Sequence, residues 1–223
     1  MTPYPRLPLV LLVDASMHTS TRMLPELERG FRAFTDEMHD HPCLRESVDV
    51  AVVTFGSSAA LIVPFQEQEI RPTAFRASGW GGLGPGLDLA LDQLVALEAR
   101  YRAAGIEYGR PWLFVITGSQ PLAADSIARL RIAQNETHIV TFVVGFGDDA
   151  DWEFLESLSG NRRPAKLVDG EVSEMFQWLL ASLEVVATSA SFGGAACGRH
   201  TSSDPSLPSP LRWAEWPTEG SPK

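Results

Sequence analysis

The sequence is poor in cysteine and in basic residues, and each shortage argues against a class of protein. Cys43 and Cys197 are the two cysteines among 223 residues, so there is no disulfide framework of the kind that stabilises small secreted domains. Lysine and arginine number 18 against 28 aspartates and glutamates, which gives a formal net charge of −10. Because an acidic surface repels phosphate groups, we expect no nucleic-acid partner.

Long apolar segments are also missing from the sequence. No run reaches the ~18 apolar residues that a membrane-spanning helix needs, and the first residues lack the basic segment and apolar core of a signal peptide. We therefore expect a cytoplasmic protein with no membrane partner. The hydrophobic content of 44% is nevertheless sufficient for one domain with a substantial core.

Residues 9–13 are an unbroken apolar run, Leu-Val-Leu-Leu-Val, followed at once by Asp14 and Ser16. Such a run predicts a buried central strand of a parallel sheet. Ligands of open α/β sheets bind where parallel strands end. Asp14 and Ser16 are therefore the first candidates for a functional site.

The rest of the chain alternates strand-like and helix-like segments. The predicted later strands are residues 48–55, 59–63, 112–117, 138–144 and 166–168. Apolar residues spaced three and four apart predict helices around residues 24–38, 87–101, 127–133, 154–158 and 172–186. This alternation indicates an α/β, Rossmann-like, doubly wound fold: a mostly parallel sheet, one antiparallel edge strand (59–63) and helices on both faces.

The composition changes near Ser189, after which Ser, Gly and Pro dominate. We therefore predict a domain over residues 1–188 and a mostly disordered tail over 189–223. Trp213 and Trp216 in this tail could dock on a partner or on the chain's own surface, although a plain flexible tail is at least as consistent with the composition.

Residues 77–86 contain five glycines, which allow tight turns and a close approach of backbone amides to a ligand. The segment lacks the Lys-Ser/Thr ending of a phosphate-binding loop and follows a hairpin rather than a single strand. Trp80 lies within it and could anchor a partner protein or fold over the hollow of the loop. The sequence leaves both roles open.

Three features in order make the sequence resemble the von Willebrand factor A (vWA) family: Asp14-Ala15-Ser16 after the first strand, the glycine-rich segment, and Thr-Gly-Ser-Gln-Pro at 117–121. The likeness covers roughly residues 7–186. Within the family it is most similar to the bacterial cytoplasmic branch linked with tellurium resistance, through Gln120-Pro121, the 145–147 loop and Ala150-Asp151. The resemblance implies a metal-ion-dependent adhesion site at the carboxyl edge of the sheet.

The metal-ligand positions of that family site are only partly retained. Asp14 and Ser16 match, but His18 replaces the second serine, Leu83 the threonine and Gly118 the aspartate of the third loop. Because Mg²⁺ needs an octahedron of oxygen ligands, we expect a degenerate site with no metal and no other cofactor. Ser119 or Asp125 could supply an oxygen ligand, although neither lies at a matching position.

These residues also allow other interpretations. For Asp14 and Ser16 a structural role is favoured over metal binding, with the carboxylate accepting backbone N–H groups and the serine capping a helix. His18 could bind zinc with Asp14, and residues 39–43 (His-Asp-His-Pro-Cys) contain possible ligands, but a polar helix terminus explains that cluster more simply. Ser16, His18 and Asp14 lie too close in sequence to form a catalytic triad, and there is no Gly-x-Ser-x-Gly motif.

These observations lead to one hypothesis and one alternative. We expect a non-enzymatic module that binds a protein partner through the carboxyl-edge loops without a bridging metal. The candidate contact residues are Asp14, Ser16, His18, Trp80, Leu83, Gly118 and Ser119. The resemblance implies a bacterial signalling or stress-response setting with a kinase or phosphatase partner. The alternative is an adhesion domain that holds Mg²⁺ weakly through Asp14 and Ser16.

Overall fold

The computed structural model describes residues 5–17, 19, 23–65, 74–79, 82–118, 124–136, 138–147, 150–160, 162–168, 170–192 and 214–215. Its strands are β1 (Leu7–Asp14), β2 (Val48–Phe55), β3 (Ala59–Val63), β4 (Trp112–Thr117), β5 (Val140–Gly145), β6 (Ala165–Leu167) and β7 (Ala214–Glu215). Its helices are α1 (Met23–Asp40), α2 (Pro42–Ser47), α3 (Leu83–Ala104), α4 (Ala124–Glu136), α5 (Trp152–Ser159) and α6 (Val172–Phe192).

The strands form one sheet in the order β3-β2-β1-β4-β5-β6-β7. The apolar run at the start of the chain is central, because β1 pairs in parallel with both β2 and β4. Strands β2 and β3 form an antiparallel hairpin at one edge. The predicted fold class, a mostly parallel sheet with an antiparallel edge strand, is therefore confirmed.

Alternate residues of each strand face two separate cores. Leu9 and Leu11 of β1 face the layer that contains α1 and α6, whereas Val10 and Leu12 face the layer that contains α3 and α5. All four side chains are fully buried, as expected for a parallel strand covered on both sides. This arrangement fixes β1 rigidly and so determines where Asp14 lies.

The amphipathic helices pack their predicted faces on the sheet. On α1 the residues Leu24, Leu27, Phe31, Phe34 and Met38 are buried. On α3 the predicted apolar positions are buried together with Glu98. Because α3 connects the hairpin edge with β4, it begins at the carboxyl edge of the sheet and ends at the amino edge. Gly105, in the left-handed conformation, terminates it.

Three parts of the chain differ from the sequence-based expectation. Pro42 begins the short helix α2 instead of ending the helical region, because proline suits the first turn of a helix. Helix α6 extends to Phe192, past the predicted domain boundary at residue 188. Residues 214–215, predicted to lie in a disordered tail, pair antiparallel with β6. Apart from these residues and 189–192, the predicted tail lies outside the described residues.

A buried polar network that the sequence did not indicate lies at the amino edge. The Arg6 guanidinium binds both carboxylate oxygens of Asp49, at 2.8 and 2.7 Å, and the Tyr101 hydroxyl donates to the same carboxylate. Glu98 lies nearby at 4% exposure, with its carboxylate 3.7 Å from the Arg102 guanidinium. Burial raises the pKa of Glu98, and the attraction of Arg102 opposes that rise only in part.

Candidate functional site at the carboxyl edge

Asp14 is the last residue of β1 and its side chain is completely buried. One carboxylate oxygen accepts the backbone N–H of Ser16 at 2.9 Å. The other accepts the Thr117 hydroxyl at 3.1 Å and the backbone N–H of Gly118 at 3.2 Å. Asp14 therefore ties its own loop to the end of β4, its neighbour in the sheet.

Backbone hydrogen bonds tie a third segment to this pair of loops. The N–H of Ser78 donates to the carbonyl of Ala15 at 2.8 Å, and the N–H of Ser57 donates to the carbonyl of Ser78 at 2.8 Å. The N–H of Met17 donates to Gly79 at 3.0 Å. These bonds join the backbones of residues 15–17, Ser57 and residues 78–79. None of them requires a side chain or an ion, so the backbone itself holds the loop after β1 against the glycine-rich segment.

The sequence resemblance predicts that Gly118 stands where the family pattern has an aspartate, and in the structure the ring of Phe146 lies beside this glycine. A Cβ atom at Gly118 would lie 2.6 Å from Cε2 of Phe146 and 3.1 Å from two further ring carbons. Real Cβ atoms essentially never approach that closely. The ring of Phe146, which follows β5, therefore prevents any larger residue at position 118 unless it moves.

The predicted contact residues divide into three groups. The side chains of Asp14, Ser16 and Leu83 are buried, Leu83 within the core of the α3 layer, so they can act on a partner only through the loops they position. Gly118 is partly exposed. His18, Trp80 and Ser119 lie outside the described residues. The hydroxyl of Ser16 lies 3.4 Å from the hydroxyl of Thr19. Helix α1 begins seven residues after Ser16, at Met23.

Sequence reasoning missed Met17, whose side chain is 50% exposed at this edge. Its backbone is held by Gly79, while the neighbouring Ala15 and Ser16 are buried. The sequence partly indicates that Met17 is exposed: it is an apolar residue in a loop, it is flanked by Ser16 and His18, and no core-forming pattern surrounds it. An apolar side chain fixed at a ligand-binding edge is a candidate contact.

The other candidate metal ligands do not gather into a site in the part of the chain that the structure describes. No group of three or more His, Cys, Asp or Glu side chains is placed to hold an ion among those residues. Residues 39–43 include the end of α1 and the start of α2. Nor is any described helix both long and apolar enough to cross a membrane.

The sequence matches the von Willebrand factor type A domain family over residues 9–176. The chain therefore belongs to this family, whose domains often mediate protein interactions or metal-dependent adhesion. No curated protein matches the sequence at a significant level.

Several solved structures share the fold. One is proximal thread matrix protein 1 of the mussel byssus, at 15% identity and a TM-score of 0.57, covering 81% of this chain and 48% of that one. A further structure of that protein has zinc in its metal-ion-dependent adhesion site (MIDAS) motif. Another is a von Willebrand factor type A protein of Catenulispora acidiphila, at 13% identity and a TM-score of 0.59, covering 82% and 43%.

A third is the manganese-loaded TRAP protein of Plasmodium vivax, at 15% identity and a TM-score of 0.56, covering 78% of this chain and 73% of that one. The chain spans about half the length of the mussel protein and less of the Catenulispora protein. At these identities the similarity concerns the fold alone.

Proposed function

We propose that this chain is a non-enzymatic interaction module that binds a protein partner at the carboxyl edge without a bridging metal ion. The observation that carries the proposal is the state of Asp14. Its carboxylate accepts hydrogen bonds from two loops, so groups of the chain itself tie these loops together. Such an edge can present a fixed surface to a partner in the absence of any ligand.

The donor set around Asp14 does not fit a Mg²⁺ ion. Mg²⁺ takes six oxygen ligands at about 2.0–2.1 Å in nearly octahedral geometry. Here N–H and O–H groups point at both oxygens of Asp14, Leu83 is buried in the core, and the Phe146 ring fills the space beside Gly118. An ion would have to displace these donors, and neither position 83 nor position 118 would supply a side-chain oxygen ligand.

The melting temperature of the full chain should accordingly be the same in chelator and in excess Mg²⁺ or Mn²⁺. An ion present at 100 times its dissociation constant would add about 2.7 kcal/mol of stability. For a chain of this size that gain raises the melting temperature by roughly 5–10 °C. Scanning calorimetry in each buffer measures the difference.

The same experiment on Asp14→Asn decides between the two functions of the family. A rise in the melting temperature that Mg²⁺ causes in the native chain, and that disappears in Asp14→Asn, would support the alternative, a weak Mg²⁺-dependent adhesion domain that uses Asp14 and Ser16. A rise that persists in the variant would place an ion elsewhere and leave the proposal for this edge intact.

Met17 provides a test of the partner surface itself. Because a charge buried unpaired in an interface is costly, Met17→Glu should weaken partner binding by roughly tenfold or more. The variant leaves the backbone bond from Met17 to Gly79 in place. Quantitative recovery of proteins that co-purify with the full chain from its own cells measures the loss.

Val95 is the matched control for that experiment. Its side chain is 51% exposed, against 50% for Met17, but it lies in the middle of α3, away from the edge where this helix begins. Val95→Glu should leave recovery of the partner unchanged. Equal losses in the two variants, or no loss in Met17→Glu, would contradict a partner surface at the carboxyl edge.

The biological setting that we propose is narrower than the family membership. The loop residues quoted above are similar to those of the tellurium-resistance-linked branch, which implies a cytoplasmic signalling or stress-response role in a bacterium and a kinase or phosphatase as partner. This setting is tested by identifying the protein that co-purifies with the native chain and is lost with Met17→Glu. A partner of another kind would remove the setting without affecting the binding surface.

A further inference from the structure

The sheet edge opposite the hairpin is covered by the chain's own distant C-terminal segment. Strand β6 pairs in parallel with β5 on its inner side. On its outer side β7 pairs antiparallel with it, with Lys166 opposite Glu215 and Leu167 opposite Ala214. Without β7 the outer backbone groups of β6 would have no strand partner among the described residues, and an open strand edge is a template for pairing with another chain.

The pairing of β7 is short enough to be exchangeable. A backbone hydrogen bond makes only a small net contribution to stability, and the conformational entropy lost when one residue is ordered costs at least as much. A ladder of two residue pairs therefore stabilises the docked segment little or not at all by its backbone alone. Its advantage is the covalent connection through residues 193–213, which holds the segment at a high effective concentration.

From this arrangement we propose that the outer edge of β6 is a strand-docking site, which the segment around Ala214–Glu215 occupies in the free protein. A partner protein binds by replacing that segment with an extended strand of its own. This surface is separate from the carboxyl-edge loops, so the inference does not depend on the function proposed for them.

The chemistry of the edge defines the strand it accepts. The strand runs antiparallel to β6, as β7 does, and supplies backbone N–H and carbonyl groups, as in other cases of strand addition. Opposite the partly exposed Lys166, where the chain itself has Glu215, an acidic residue is favoured because like charges directly opposite each other are destabilising. The occupant is therefore an extended segment of a partner protein with an acidic residue opposite Lys166.

Ala214→Pro in the full chain tests the docking, because proline has no backbone N–H and is unsuited to a paired strand. Ala214→Val is the matched control, since valine keeps the N–H and favours strands. Because neighbouring N–H groups of a strand point to opposite sides, we expect amide exchange at the one of Lys166 and Leu167 whose N–H faces β7 to accelerate about tenfold in Ala214→Pro and to stay unchanged in Ala214→Val. Glu215→Pro should reproduce the acceleration.

A peptide of residues 208–220 then tests acceptance of a strand from outside. Added to isotope-labelled Ala214→Pro, it should move the amide signals of Lys166 and Leu167 toward their native positions. In the native chain, where the tethered segment competes, the same peptide should cause little change. A peptide that itself carries Ala214→Pro should have no effect on either protein.

Three results would overturn the proposal. Exchange at Lys166 and Leu167 that is equal in Ala214→Pro and in the native chain would mean that β7 does not protect the edge. Peptide shifts of equal size in both proteins would place the peptide elsewhere. Absence of any shift in Ala214→Pro would mean that β6 does not accept a strand from another chain.

Discussion

Asp14→Ala should lower the free energy of unfolding by at least about 3 kcal/mol, because it leaves several buried donors without their acceptor. The substitution leaves the N–H groups of Ser16 and Gly118 and the Thr117 hydroxyl without their acceptor. Each of these donors loses a bond to a charged group, worth about 1.5–3 kcal/mol. Chemical denaturation, followed by circular dichroism, measures the loss.

Two milder variants show whether the hydrogen bonds are the cause. Asp14→Asn keeps one acceptor oxygen but turns an amide N–H₂ group toward a donor, so its loss should be intermediate. Thr117→Val removes one of these donors and should cost about 1.5–3 kcal/mol. If Asp14→Ala lost less unfolding free energy than Thr117→Val, the structural role of the carboxylate would be contradicted.

Gly118→Asp introduces the carboxylate that the family resemblance predicts for this position, yet it should destabilise the protein by about 1–3 kcal/mol, as overpacking does. The new Cβ would lie 2.6 Å from the Phe146 ring, which is itself buried. The added negative charge would also lie near Asp14, whose oxygen is 3.2 Å from the backbone nitrogen of Gly118. Thermal and denaturant unfolding with and without Mg²⁺ measure the effect.

The double variant Gly118→Asp with Phe146→Ala separates the steric cause from the electrostatic one. If the ring is the obstacle, the two substitutions together should cost less than the sum of their separate effects. Strict additivity would leave charge repulsion as the cause. If Gly118→Asp alone were as stable as the native chain, the ring of Phe146 would have to move aside freely.

Much of the fold could be predicted because local patterns determine it. The bounds of β2, β3 and β4 agree with the predicted segments, since each strand is a mainly apolar run bounded by turn residues. The helix α2 was missed because Pro42 was interpreted as a stop rather than as a first helical residue. The strand β7 has no periodic pattern at all, because two residues in a Ser- and Pro-rich region pair only when the β6 edge is present.

The candidate site was predictable in position but not in detail. Asp14 and Ser16 lie at the carboxyl edge, as the rule for parallel sheets requires. The donors from Thr117 and Gly118 are more than a hundred residues away in sequence, and no local pattern specifies such a contact. Likewise, the contact between Gly118 and Phe146 depends on the register of β4 and β5, which the sequence does not state.

The burial of Glu98 implies an unusual response of this protein to weak acid. Because its pKa is raised on folding, the folded chain binds the proton of Glu98 more tightly than the unfolded chain does. The contribution of this side chain to stability is therefore greatest below the ordinary glutamate pKa and declines as the pH rises through the raised value. Above the raised pKa of Glu98 the amino end of the sheet carries a buried carboxylate that opposes folding, and acidification below that pKa removes this cost.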